Sequence, residues 1–354
     1  VSATPAGRLL VVAPHATRTG STRVLLDLLQ RAAPDLPPLA VELESGGPFE
    51  EQLRALGGPL QPGERPVAVL VNSSLAAGRL VDLEPGVPAA VYVHESLEVL
   101  EELPAPAAQG VRRADLVLCV SDRSAGELAA FGVDPARVRV VPPLVADAPA
   151  PGGAAAAVRA GLGLAVGDRL VLGCGEASDR KGTDLFVELA VRLRGEPHLR
   201  LAWVGRRLRA TARRLDHDVD AAGLEDLVTW VDEVDDPVAH LAAADVLVMT
   251  SRTDPQPLVP LEAALQGTPT VAFAVDGLGD LGAAGAAATV PYPDTVALAA
   301  AVRRLLADPA AGEALVAAAV ERRDRDQSAA RVVPRFLAAM GALLGGAPGG
   351  PATE

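Results

Sequence analysis

The chain contains one lysine, Lys181; every other residue in its Lys plus Arg total of 32 is an arginine. Aromatic residues are also scarce, at 3%, and there are two cysteines. Each shortage excludes something. Against 45 acidic side chains the formal net charge is −13, and no block of clustered cations interrupts it, so the overall field disfavours nucleic acid and anionic membrane surfaces. No apolar run reaches the roughly 18 residues of a spanning helix. The first segment, "VSATPAGRLLVVAPHA", passes directly into a strand-like run without the charged start of a signal peptide. These features predict a cytoplasmic protein with no membrane association. Cys119 and Cys174 lie far apart in short apolar runs and read as buried reduced thiols rather than a disulfide framework.

What is abundant is Ala, Gly, Pro, Arg and Val, within a chain of 354 residues that is 49% hydrophobic. That length suits two domains, each with its own core. Short β-branched runs alternate with amphipathic stretches, the rhythm of βαβ units. Strands are expected at 8–13, 39–43, 67–72, 89–94, 114–121 and 138–142, and again at 169–175, 199–205, 227–231, 244–251 and 268–273. Helices are expected in the second series at about 182–194, 207–222, 235–243 and 258–266, with two or three more over 295–345. Between the series, "ADAPAPGGAAAAVRAGLGLAVGD" reads as a linker with one helical turn. The expected division is therefore a domain over 1–145, a linker over 146–168, a domain over 169–335, and a helix end with a disordered tail over 336–354. Strands that are apolar throughout suggest parallel sheets covered on both faces. The fold class is α/β, two doubly wound Rossmann-like domains facing a cleft lined by the loops after each strand.

Two such loops carry chemistry. "RLVLGCGEASDRKGTDLF" is a strand, a polar loop and then "RKG" opening a helix. An ammonium there opposes the positive end of the helix dipole, so Arg180 and Lys181 are poorly placed for the helix and well placed for a phosphate. The alternative is a solvated surface lysine. In "SRTDPQPLVPLEAALQGTPTVAF", Asp254 sits in the loop after a strand and Glu262 about one turn inside the next helix, which ends near Gly267. Two carboxylates so placed can accept hydroxyl hydrogen bonds from two parts of one ligand. The bland reading is an acidic loop residue and an ordinary helix glutamate. "DHDVD" (216–220) lies in an arginine-rich helical stretch and reads as a solvated face, and His198, His217 and His240 read as surface residues.

With these segments in view, the chain resembles the retaining glycosyltransferases of family 4, which have the two-domain GT-B fold. The most specific match is "ADVLVMTSRTDPQPLVPLEAALQGTPTVAF", supported by "RKGTDLF" and by "ADLVLCVSDRSAGELAAFGVDPARVRVVPPLV". The resemblance implies that Lys181 holds the donor diphosphate, that Glu262 binds the nucleotide ribose, and that Asp254 contacts the transferred sugar. It brings the amides of Leu258 and Val259 to the phosphates, the backbone at Val234 to the nucleobase, and His94, in "VYVHES", to the sugar and acceptor. The first loop, with His15, Gly20 and Ser21, is placed at the acceptor or the phosphates. Departures from the family pattern are an aspartate at 254 where glutamate is common, Gly175 where many members carry arginine, with Arg180 as the candidate replacement, and a first loop with Gly20 as its only glycine. The resemblance further implies no cofactor and no metal, with a UDP-, GDP- or TDP-linked sugar as co-substrate. "FEEQLRALGG" and "ESLEVLEEL" lack a basic amphipathic face, which favours a small soluble acceptor. The competing readings are a catalytically degenerate nucleotide-binding relative and a nucleotide-sugar epimerase of the same fold.

Overall fold

A computed structural model describes residues 7–345. The chain forms two units, one from residues up to Ala146 together with those from Asp326 onward, the other from Asp147–Arg325. The first contains β1 (Leu9–Ala13), β2 (Leu39–Leu43), β3 (Ala68–Asn72), β4 (Ala89–Val93), β5 (Leu116–Cys119) and β6 (Val138–Val140). The second contains β7 (Arg169–Cys174), β8 (Leu199–Val204), β9 (Val228–Val231), β10 (Val246–Met249), β11 (Thr270–Phe273) and β12 (Ala288–Val290). Each unit is one six-stranded sheet, ordered β2-β1-β3-β4-β5-β6 and β12-β11-β10-β7-β8-β9, and every pairing is parallel.

The strands read as continuous apolar runs because helices cover both sheet faces: every residue of β1, β3, β4, β5, β10 and β11 is buried. In the second unit the helix Thr183–Leu193 turns Phe186, Leu189, Ala190 and Leu193 onto the sheet, where Phe186 meets Trp203 edge-to-face at 5.2 Å.

Three expectations are corrected. The 146–168 segment is not a free linker: Ala154–Gly161 is a helix of the second unit, tied there by Arg159, which donates to the Ala243 carbonyl at 2.7 Å and to Asp245 at 3.1 Å. The second unit also ends earlier than residue 335. The helix Ala329–Gly345 belongs to the first unit and packs against Gly20–Ala32, while buried Gln327 donates to the Pro143 carbonyl at 3.2 Å. Finally, a sixth strand, Ala288–Val290, and a helix, Asp276–Ala283, fill the stretch after β11. The expected tail over 346–354 lies outside the described residues.

Candidate functional site

Strand order decides where loops can open. In the second sheet β8 and β9 lie to one side of β7, and β10 to β12 lie to the other, so the order reverses between β7 and β10. In open α/β sheets ligands bind beyond the carboxyl ends of the strands at such a reversal. The "RKG" loop follows β7 and the Asp254 loop follows β10. Two segments about seventy residues apart in sequence thus meet at this reversal.

Lys181 Nζ donates to Asp254 Oδ2 at 2.6 Å, with only 13% of the lysine side chain and 9% of the aspartate side chain exposed. The neighbouring backbone fixes the lysine. Gly182 has φ +63, and a Cβ there would sit 2.0 Å from the Thr250 carbonyl oxygen, so only glycine fits. Thr250 Oγ1 donates to the Lys181 carbonyl at 3.0 Å, and the Arg252 N–H donates to the Arg180 carbonyl at 2.8 Å. The Arg252 guanidinium bonds both oxygens of Asp184, at 2.9 and 2.8 Å, and the Asp179 carbonyl at 2.6 Å. These bonds hold the Asp184 carboxyl below the usual range. The lysine stem lies over Gly175, where a Cβ would approach Lys181 Cε to 3.5 Å.

Of the other expected residues in this unit, Arg180 is exposed and donates to the Thr253 carbonyl at 3.1 Å. Glu262 is half-buried in the first turn of the helix Val259–Leu265. Its charge and, more strongly, burial push the Cys174 thiol up to about 12, with the Lys181 charge opposing. Lys181 and Glu262 therefore both act on the last residue of β7. Leu258 caps the Val259–Leu265 helix; its N–H and that of Val259 have no acceptor within the helix, Pro260 carries no N–H, and the Leu261 and Glu262 N–H groups bond the Leu258 carbonyl at 2.9 and 3.0 Å. Val234 is half-buried in the loop after β9, at the sheet edge, two strands away from β7. Asp276 was not anticipated: its Oδ2 accepts from Thr253 Oγ1 at 2.7 Å and from the Asp254 N–H at 3.0 Å.

The first sheet reverses order between β1 and β3. His15, after β1, keeps its Nδ1 within 2.8 Å of Thr17 Oγ1 and 3.3 Å of Thr22 Oγ1. Gly20 opens the helix Gly20–Ala32 and is exposed, with Ser21 half-buried beside it. Gly47, from the loop after β2, packs against this turn so closely that a Cβ would lie 2.4 Å from the Ala16 carbonyl. Gly20 is thus the only glycine within the first loop, but not the only one the loop depends on.

His94 follows β4, and its Nε2 donates to Asn72 Oδ1 at 3.0 Å, while Asn72 Nδ2 donates to the Ser21 carbonyl at 3.3 Å. Asn72 is fully buried at the end of β3 and ties the expected histidine to the expected loop. Burial pushes the His94 imidazole down to about 4, against the opposing charge of Glu95, so it is neutral at pH 7 with Nδ1 left as an acceptor. Glu95 in turn accepts from Ser73 Oγ at 2.5 Å, from the Ser74 N–H at 3.1 Å and from Ser74 Oγ at 2.9 Å. Neither Asn72 nor Glu95 stands out in sequence, because Asn72 ends an apolar strand and Glu95 lies in the loop just beyond another. His240 corrects the surface reading: it is half-buried, its Nδ1 has no hydrogen-bond partner among the described residues, and burial lowers its pKa.

The model of the glycosyl transferases group 1 matches residues 168–308, and that of glycosyltransferase family 4 matches residues 52–148. The D-inositol 3-phosphate glycosyltransferase of Kineococcus radiotolerans is 37% identical over 242 residues, which cover 60% of this chain and 54% of that protein. The enzyme of the same name from Geodermatophilus obscurus is 36% identical over 183 residues, 48% of this chain and 40% of that one. The chain spans about half the length of the curated relatives it matches. Among solved structures, Anabaena HepE in complex with UDP-glucose superposes with a TM-score of 0.83 at 18% identity, over 95% of this chain and 99% of that one. Sucrose-phosphate synthase from Thermosynechococcus elongatus gives 0.78 at 21% identity, over 96% and 99%. No helix of the described residues is long and apolar enough to cross a membrane. The family matches run through both units and the two parallel sheets are those of the GT-B fold, so the chain belongs to the family 4-type glycosyltransferases.

Proposed function

We propose that this protein transfers a hexose from a nucleoside-diphosphate sugar to a hydroxyl of a small soluble acceptor, with retention at the anomeric carbon. The observation that carries the reading is the Lys181 to Asp254 contact at the strand-order reversal of the second unit. A compact ammonium beside a glycine-only backbone turn suits a diphosphate, and a carboxylate on the same ammonium suits a sugar hydroxyl. Lys181 neutralises the leaving diphosphate, helped by the amides of Leu258 and Val259. Glu262 takes the ribose hydroxyls, Asp254 takes the sugar, and the backbone near Val234 borders the base. Arg180 is within the same loop and adds a second cation close to the phosphates. The reading calls on no resident metal. HepE, whose structure holds UDP-glucose, supports a nucleotide-sugar donor.

On the acceptor side, neutral His94 offers Nδ1 to a hydroxyl, and the His15, Gly20 and Ser21 loop supplies further polar contacts. The relatives are named for D-inositol 3-phosphate, which supports a cyclitol or similar polyol as acceptor. In the chemical step the bond from the anomeric carbon to the phosphate oxygen breaks and the bond to the acceptor oxygen forms on the same face. The acceptor proton passes to the departing phosphate. Catalysis then rests on positioning and on charge neutralisation of the leaving group.

The test is to incubate purified protein with UDP-, GDP-, TDP- and ADP-hexoses, with and without inositol or inositol phosphate. Acceptor-dependent release of one nucleoside diphosphate, with a product whose anomeric coupling matches the donor, is the expected result. Donor interconversion without acceptor would instead indicate an epimerase, and an inverted product would rule out the retaining mechanism.

A further inference from the structure

Asp276 begins the helix after β11 with φ +39, in the left-handed region that side chains rarely adopt. A glycine would take this backbone without strain. What the aspartate adds is a grip on the loop after β10. Its Oδ2 accepts from Thr253 Oγ1 at 2.7 Å and from the Asp254 N–H at 3.0 Å, and the Gly277 N–H returns a bond to the Asp254 carbonyl at 3.1 Å. Gly277 itself lies so close that a Cβ would sit 2.6 Å from the Pro255 carbonyl oxygen and 2.7 Å from Pro257 Cδ. Asp254 is thus held at both its N–H and its carbonyl by one turn, while its carboxylate holds Lys181 at 2.6 Å.

We infer that Asp276 is a positioning residue of the donor site: it fixes the backbone of Asp254 so that one carboxylate reaches both the Lys181 ammonium and the transferred sugar. The contacts run from the loop after β11 through the loop after β10 to the loop after β7, three neighbouring strands of the sheet. Strained backbone of this kind is kept where surrounding contacts over-determine it, and here those contacts lead to Lys181. The inference rests on the function proposed above for its kinetic consequence, but its structural core does not.

Lys181 is the sole lysine, so selective 13Cε-lysine labelling gives one side-chain resonance that reports on this contact without any substrate. In Asp276→Gly the strain and the carboxylate are removed together; Asp276→Asn keeps an acceptor oxygen and tolerates the left-handed conformation. The expected result is that Asp276→Gly melts no lower than wild type, yet its lysine resonance moves and its kcat for transfer falls about ten-fold to a hundred-fold. UDP affinity should change by less than about three-fold, because the lysine and helix amides remain. Asp276→Asn should restore both the resonance and most of kcat. An unmoved lysine resonance in Asp276→Gly overturns the inference. So does a fall of more than about 5 °C in its melting point that Asp276→Asn shares, because a plainly structural role is then sufficient. If the wild type transfers no sugar, the proposed function fails, and the resonance still decides whether Asp276 positions the Asp254 and Lys181 pair.

Discussion

Replacing Asp254 by Asn keeps the side chain's shape and removes its charge, leaving the Lys181 ammonium, 13% exposed, without its 2.6 Å counter-ion. Removing one member of a buried ion pair typically costs about 3–5 kcal/mol, and we expect about 3 kcal/mol here because some water reaches the lysine. Asp254→Leu, which strands the same ammonium, and Lys181→Met, which strands the carboxylate, should each cost a similar amount of about 3 kcal/mol. The double variant Lys181→Met, Asp254→Leu should lose roughly 1 kcal/mol or less, since apolar side chains of similar volume replace a desolvated pair. With about 3 kcal/mol for each of Lys181→Met and Asp254→Leu and about 1 kcal/mol for the double, the cycle predicts a coupling of about 5 kcal/mol. Both tryptophans of the chain, Trp203 and Trp230, lie in the second unit, so fluorescence during urea unfolding follows that unit specifically. Coupling below about 0.5 kcal/mol would show that the pair is not electrostatically linked, and would refute the reasoning. The same Asn variant carries a second consequence: with its ammonium released, it should bind a nucleoside diphosphate at least as tightly as wild type while transferring sugar more slowly.

Gly182→Ala should abolish donor binding and destabilise the second unit by at least about 2 kcal/mol, combining a left-handed alanine with a Cβ placed 2.0 Å from the Thr250 carbonyl oxygen. Urea unfolding and nucleotide titration check both effects. For His94, burial lowers the pKa to about 4 from an unfolded value of about 6.5. Above 6.5 the group is neutral in both states; as pH falls from about 6.5 toward 4 the unfolded chain takes up the proton first, so stability is lost in that window. The loss is up to about 3 kcal/mol, and it should be absent from the pH dependence of His94→Gln, measured by denaturation between pH 4 and 7.

The sheets were legible because parallel strands covered on both faces must be apolar throughout, as "RLLVVA" and "ADVLVM" are. What escaped was built from small residues. The strand Ala288–Val290 and the helix Asp276–Ala283 come from "DGLGDLGAAGAAATV", where alanine and glycine give no usable periodicity. The helix Ala154–Gly161 was hidden by its Pro and Gly flanks, and its membership of the second unit depends on Arg159 reaching across to Ala243. Lys181, Asp254 and Glu262 could be picked out one by one, but only strand order shows that the first two touch. Asn72 and Asp276 act through neighbours distant in sequence, and a polar residue ending a strand or opening a helix gives no sign of that. The dipeptide "DG" after β11 was the one available hint, since it marks a turn able to carry positive φ.

The central claim is that Lys181 is the diphosphate ligand of a nucleotide-sugar site, and calorimetric titration of wild type and Lys181→Ala with UDP, GDP, TDP and ADP tests it most directly. A charge-assisted bond to phosphate is worth about 1.5–3 kcal/mol, so one nucleotide should bind wild type and lose at least about ten-fold in the variant. Equal affinity in the two proteins, or no binding of any nucleotide to wild type, would contradict the account.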